Sequence, residues 1–403
     1  MTKYTVSLKW FIVFIILFHT LVIYITDSYV TDLKYPQHDE FHFIKTIALF
    51  GEEISLNNLK HYEEMSTPLP FLLYAFWGHV FGSEIYKLRI FSIIIALLTY
   101  LLYHRLFFII FNNGKIALLA SVYLVIIPYM IALSFLIYTD MLAMLFLILC
   151  CFAIVRQNPF VFAISAACAL LCRQYLSFIL LAGAIFYLIK YIKGKERVAL
   201  KMLISIFISF LPFLFLIFLW KGLTPENELQ NLYLGEKINF HINFLIFYIC
   251  LFCIYLFPII VLTYKSYYQN VKILIASFVI SSFYWLFPVT PAKSAIEAGF
   301  NTAGWFHRGL KWLFENQFFE HVVFNIAFFF GLPVVLYLFK DMFGKWRKNE
   351  FDFPFFLDIA ILTFLLMMPF SYLVWEKYFL PIIPLASIRF LLCRYKGAEL
   401  NLR

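Results

Sequence analysis

Apolar residues fill this chain in long blocks separated by short polar interruptions, beginning with "WFIVFIILFHTLVIYI" over 10–25. Blocks of roughly 18 or more apolar residues have the length a helix needs to cross a hydrocarbon core. The pattern predicts spans over 10–26, 88–109, 116–134, 139–155, 159–172, 174–192, 200–220, 241–263, 271–288, 322–340, 354–373 and 378–393. That makes an all-α polytopic membrane protein of about twelve transmembrane helices, a single integral membrane domain over 1–403. The 159–172 block is short for a span and suits a tilted or partly re-entrant helix. The alternating segments of about ten residues that mark a membrane β-barrel are absent. No fixed-period repeat and no low-complexity tract interrupts the pattern.

The polar stretches between blocks are unequal. Three are long, 27–87, 221–240 and 289–321, and on the predicted topology all three fall on one face. The first carries an apolar stretch of its own, "TPLPFLLYAFWGHVFG" (67–82), opened by Pro68 and Pro70 and interrupted by Trp77 and His79. It suits a helix lying at the interface. With the N-terminus cytoplasmic, about 19 of the 32 basic residues fall in short inner segments, as the positive-inside rule requires. The acids segregate the other way. A chain with its extra-membrane mass on one face is expected to work on that face.

Composition sharpens this picture. The chain is 64% hydrophobic and 14% charged, with mean hydropathy +0.87, against about 25% charged for a soluble domain. Its formal net charge of +9 sits in short loops, as insertion bias predicts, and no basic groove with interleaved aromatics points to nucleic acid. Cys150, Cys151, Cys168, Cys172, Cys250, Cys253 and Cys393 all lie in apolar runs and read as small core residues, including the C-x-x-C of Cys250 and Cys253. No small-residue cleavage pattern follows the first block, which predicts an uncleaved first span.

Against this background the polar motifs stand out. "QHDEFH" (37–42) sets Asp39 and Glu40 just beyond the first span. Two carboxylates held close push at least one pKa upward, and a base poised near neutrality suits an alcohol acceptor in a group transfer. The same pattern also fits a solvated turn. His38 and His42, four apart, share a face if helical, and His42 suits a hydrogen bond to a substrate phosphate or hydroxyl better than a metal. No metal or other cofactor is expected. "YTD" places Tyr138 and Asp140 at a helix start, where Asp140 either caps the helix or faces the same cavity as Asp39. "CRQY" sets Arg173 and Gln174 between apolar runs. A charge at the bilayer centre costs roughly 2.5–3.5 kcal/mol or more, so Arg173 is expected to face a cavity or an anion, its planar guanidinium matching phosphate, or else to snorkel to headgroups. Arg308 in "FHRG", and Lys377 and Tyr378 in "WEKYFLPIIPL", sit at outer helix ends, as interface anchors or as a phosphate clamp.

Taken together these motifs resemble the GT-C glycosyltransferases, multi-span enzymes that use polyprenyl-phosphate sugars on the outer or lumenal face. The resemblance rests on Asp39-Glu40 early in the first outer loop, Thr67-Pro68-Leu69-Pro70 before an interfacial helix, and Lys377-Tyr378-Phe379-Leu380-Pro381 before the last span. Within that superfamily the chain looks most like the dolichyl-phosphate-glucose α-1,2-glucosyltransferases, through Asp39-Glu40-Phe41-His42, Tyr138-Thr139-Asp140 and Arg173-Gln174 in the same order. It departs from them in a shorter D-E to F-H spacing, in Asp140 where Glu is more usual, in Tyr-Leu-Ser after Gln174, and in length. The resemblance implies an inverting, metal-independent hexosyl transfer from a polyprenyl-phosphate donor to a glycan or lipid-linked acceptor among membrane lipids. It makes Asp39 the general base and Glu40 its assistant or orienting partner, and has Arg173, Gln174 and Lys377 hold the donor phosphate.

A transporter or flippase of lipid-linked sugars is the alternative, but repeats and midplane polar sites are not evident. A glycan polymerase or ligase would place its large loop late in the chain. No N-x-S/T sequon occurs in the outer loops, which favours a bacterial inner membrane over that of the endoplasmic reticulum.

Overall fold

A computed structural model describes residues 3–225, 239–297, 299–314 and 316–395. Most of the predicted outer segment 221–240 lies outside the described residues. Every regular element among the described residues is helical. They are α1 (Lys3–Ile25), α2 (Glu40–Glu52), α3 (Leu56–His61), α4 (Leu69–Phe81), α5 (Ile85–Phe111), α6 (Gly114–Val125), α7 (Pro128–Phe135), α8 (Asp140–Val155), α9 (Pro159–Cys172), α10 (Ser177–Gly194) and α11 (Arg197–Trp220). After these come α12 (Ile242–Tyr268), α13 (Val271–Ser282), α14 (Lys293–Glu297), α15 (Trp305–Leu313), α16 (Gln317–Lys348), α17 (Phe353–Met367) and α18 (Ile382–Arg394).

A helix occupies each predicted block, and the differences lie in length and continuity. Among the described residues seven helices are long and apolar enough to cross a membrane, or eight if one bent pair is a single span. This is an all-α integral membrane protein. The bent pair is the predicted 116–134 span, which breaks into α6 and α7 at an angle of 76°. Pro128 opens α7 and cannot donate to the preceding turn, and Ile127 before it is extended (φ −64°, ψ 127°). The α4, α8 and α9 helices and the 271–286 segment are apolar but shorter. The predicted 378–393 span is α18, entered through a 3₁₀ turn at Glu376–Phe379.

Tight turns close several helix ends, and local chemistry explains them. Asn112, Gln157 and Asn349 follow helices in the left-handed conformation. The next helix then starts on a side-chain cap. Asn113 accepts from the Lys115 and Ile116 amides, Asn158 from Val161, and Asp352 from Phe355, satisfying N–H groups that a helix start leaves open. Pro159 and Pro354 sit in the first helical turn, where a missing N–H costs nothing.

The chain forms two compact units, the first mainly residues 1–180 and 197–231, the second 181–196 and 232–397. In the first, α9 packs on α8 and α11, α5 on α6 and α8, and α1 on α6. In the second, α12 and α16 form the central pair, flanked by α13 and α18. Gly331 on α16 makes their close approach feasible, because a Cβ there would collide with the Ile249 carbonyl. Arg389 on α18 binds Asp358 on α17 (Nε to Oδ1, 2.5 Å) and Asp341 on α16 (2.5 Å), fastening three helices at the same end. All seven cysteines are free thiols, four buried and three half-buried.

Candidate functional site

The acidic motif is built around a residue outside it. Gln37 folds the loop after α1 by accepting from the Thr31 hydroxyl and donating to the Asp32 and Tyr35 carbonyls. Arg89, one turn into α5, donates to the Leu33 and Tyr35 carbonyls. Its guanidinium also forks onto Glu40, Nε to Oε1 at 3.0 Å and Nη2 to Oε2 at 2.6 Å. Glu40 is fully buried. It accepts two further bonds, from the Gln37 amide (2.7 Å) and the Ile137 amide (2.8 Å). With both carboxylate oxygens doubly engaged, Glu40 is a buckle between the loop, α5 and the turn before α8. Of the two roles expected for it, orienting its neighbour is the one this geometry allows.

Asp39 precedes the first turn of α2, half-buried, and its side chain makes no capping bond to the helix. His38 lies before the helix in the left-handed conformation (φ 51°), so it does not share a helical face with His42 as expected. The tight turn that presents Asp39 takes His38 out of register. His42 is exposed on α2.

The Ile137 bond brings the acidic loop to the Y-T-D turn. Tyr138 meets Phe43 of α2 edge-on, with ring centroids 5.5 Å apart. Two residues on, Asp140 opens α8 without capping it. Its carboxylate instead takes Arg173 Nη2 at 2.7 Å, with the Tyr175 hydroxyl 3.5 Å from the other oxygen. Asp140 and Arg173 are 5% and 8% exposed, so each charge has left water and depends on the other. Arg173 stands where α9 ends, its backbone extended (φ −150°, ψ 119°) before a 3₁₀ turn over Gln174–Leu176. This break, with its buried cation, falls between the predicted blocks 159–172 and 174–192. Gln174 donates to the Met65 carbonyl (2.5 Å) and the Leu223 carbonyl (3.2 Å), and Thr67 donates to the Leu170 carbonyl (2.8 Å). The "TPLP" segment is thereby tied to the same helix end.

Arg308, Lys377 and Tyr378 belong to the second unit. There the organising residue is Glu376, fully buried. It accepts from the Phe306 amide (3.1 Å), the His307 amide (3.0 Å) and the Tyr255 hydroxyl (2.9 Å). It thus caps the N-terminus of α15 from 70 residues away. Burial pushes its carboxyl pKa up, and these donors pull it back. Gly304 makes the approach feasible at φ +147°, since a Cβ there would lie 2.6 Å from Glu376 Cγ. The segments around Arg308 and Lys377 are therefore adjacent. Arg308 points outward from α15, while Lys377 and Tyr378 are half-buried.

Sequence reasoning missed Arg89 and Glu376. Arg89 had a signal, since an arginine at the start of an apolar block needs an anion. Glu376 had only its position beside Lys377, already singled out. Among the described residues no three His, Cys, Asp or Glu side chains gather as a metal site. No family model, curated protein or solved structure matches the chain.

Proposed function

We propose that this membrane protein is a GT-C-type glycosyltransferase that moves a hexose from a polyprenyl-phosphate donor to a hydroxyl of a glycan or lipid-linked acceptor. The observation that carries the reading is that Glu40, next to Asp39, binds the amide of Ile137, three residues before the Asp140 that pairs with the buried Arg173. It joins the turn of a half-buried carboxylate to the segment whose Asp140 holds a cation in an apolar helix break. In this reading Asp39 takes the proton of the acceptor hydroxyl as its oxygen attacks the anomeric carbon. The bond from that carbon to the phosphate oxygen breaks, its electron pair staying with the phosphate. Arg173, assisted by Gln174, stabilises the charge that grows there, which favours the transition state over the ground state. Asp140 is the counter-ion of Arg173 before the donor arrives. Glu40 holds the turn that aims Asp39.

About twelve transmembrane helices, with α4 at the interface, and a bacterial inner membrane belong to the same proposal. A single observation favours the alternative, a transporter or flippase of lipid-linked sugars: the 76° break between α6 and α7 is of the kind that lines transporter sites. An assay of purified protein against a panel of polyprenyl-phosphate hexoses separates the two. Glycosyl transfer to added acceptor supports the enzyme. Movement of the intact lipid-linked sugar between leaflets, without transfer, supports the transporter.

A further inference from the structure

A cavity of about 500 Å³ lies in the second unit, between the loop after α13, the loop before α15 and the first turns of α16. Its size is within the roughly 300–1,000 Å³ range of small-molecule sites. Its polar wall carries Asn301, Lys311, Gln317, Glu320 and His321, and Pro291 and Ile296 line the apolar side.

Hydrogen bonding fixes what this wall offers. His307 Nδ1 accepts from the Ala303 amide (3.1 Å), so its proton is on Nε2, which donates to Glu320 Oε1 at 2.7 Å. Glu320 is 3% exposed. Its other oxygen, Oε2, has no hydrogen-bond partner among the described residues, on a side chain that lines the cavity. The Tyr284 hydroxyl accepts from the Val289 amide (3.3 Å) and lies 3.0 Å from His321 Nδ1. Whichever of the two donates, His321 Nε2 is left as a polar atom able to pair with a hydroxyl. Lys311 Nζ is held by the Asn301 carbonyl at 2.5 Å and keeps two further N–H groups.

The wall therefore alternates a strong acceptor with several donors and two side-chain amides, and its one carboxylate and one ammonium cancel. A free anion would meet Glu320 and a free cation would meet Lys311. A neutral molecule whose every group both donates and accepts meets neither cost, and its C–H faces match Pro291 and Ile296. We propose that this cavity binds a saccharide unit, with Glu320 Oε2 accepting from its hydroxyls, Lys311 and Gln317 donating to them, and His321 Nε2 pairing with a further one. The class of ligand rests on the glycosyl-transfer reading, but the cavity is lined by residues of the second unit alone and its occupancy needs no turnover.

The test is equilibrium binding in a sugar-free amphiphile, without donor or catalysis. One arm uses free glucose, mannose, galactose, N-acetylglucosamine and their disaccharides; the other uses a lipid-linked oligosaccharide in nanodiscs. Expected is saturable binding in at least one arm, weakened at least tenfold by Glu320→Gln, which keeps the acceptor for His307, and by Gln317→Ala at the exposed rim. The responding arm identifies the source as free or lipid-borne. Thermal melting of each variant at the wild-type temperature ties the loss to the site. Saccharide binding without transfer activity leaves this site standing and removes the enzyme reading. Binding in neither arm, binding indifferent to both substitutions, or inorganic phosphate displacing the saccharide overturns the proposal.

Discussion

Glu40→Gln distinguishes a buckle from a catalyst. Glu40 accepts four hydrogen bonds, two from Arg89 and one each from the Gln37 and Ile137 amides. A glutamine can keep its carbonyl oxygen toward Arg89 Nε and Ile137, but its amide NH₂ then faces Arg89 Nη2 and the Gln37 N–H, donor against donor. Two charge-assisted bonds are lost, each worth about 1.5–3 kcal/mol, and Arg89 keeps a buried charge without its counter-ion. Breaking a buried ion pair from one side costs about 3–5 kcal/mol, in agreement with that sum. A loss of this size lowers the melting temperature by about 5–10 °C, read by thermal unfolding in detergent. The double variant Glu40→Leu/Arg89→Met removes both charges and is expected to melt closer to wild type than Glu40→Gln does. If Glu40→Gln melts like the wild type, or if the double variant is the least stable of the three, Glu40 is not the buckle described above.

Other substitutions probe the remaining parts. Arg173→Lys keeps the charge but loses the planar fork, and is expected to slow transfer by about 10²-fold with a higher KM for the donor; unchanged kinetics would remove Arg173 from the phosphate's path. Arg173→Met strands Asp140 and is expected to cost about 3–5 kcal/mol, largely restored by adding Asp140→Leu, as melting curves will show. Glu376 carries a pH signature. Burial raises its carboxyl above the ordinary value of 4.5, so the folded chain holds that proton more tightly than the unfolded chain. Its contribution to stability is full below 4.5 and is lost as pH rises through the raised value. Glu376→Gln should flatten that fall in a melting series across pH. Asp352→Ala removes the cap of α17 and is expected to cost about 1 kcal/mol in the same assay.

The helical blocks were legible because a hydrophobic span is a local property, written in consecutive residues. The break between α6 and α7 was also written locally, in Pro128, but the apolar pattern runs 116–134 through it as one span. The candidate residues were legible as isolated polar groups in apolar surroundings, and Asp140 with Arg173 turned out to be mutual partners. What the sequence does not carry is pairing over distance. Glu40 finds Arg89 across 49 positions and Glu376 finds α15 across 70, and no periodicity marks either. His307, rather than its neighbour Arg308, turned out to be the buried member of "FHRG". Which of two adjacent residues faces inward depends on where the helix starts, and a distant carboxylate sets that.

Hexose transfer from a polyprenyl phosphate by the purified protein, beside its Asp39→Asn variant at equal folded concentration, bears most directly on the proposed chemistry. The wild type should glycosylate the acceptor, with inversion at the anomeric carbon. Asp39→Asn should melt like the wild type and lose about 10²–10⁴-fold in rate, the range a general base supplies. Equal rates for the two proteins, or no transfer from any donor by well-folded wild type, would contradict it.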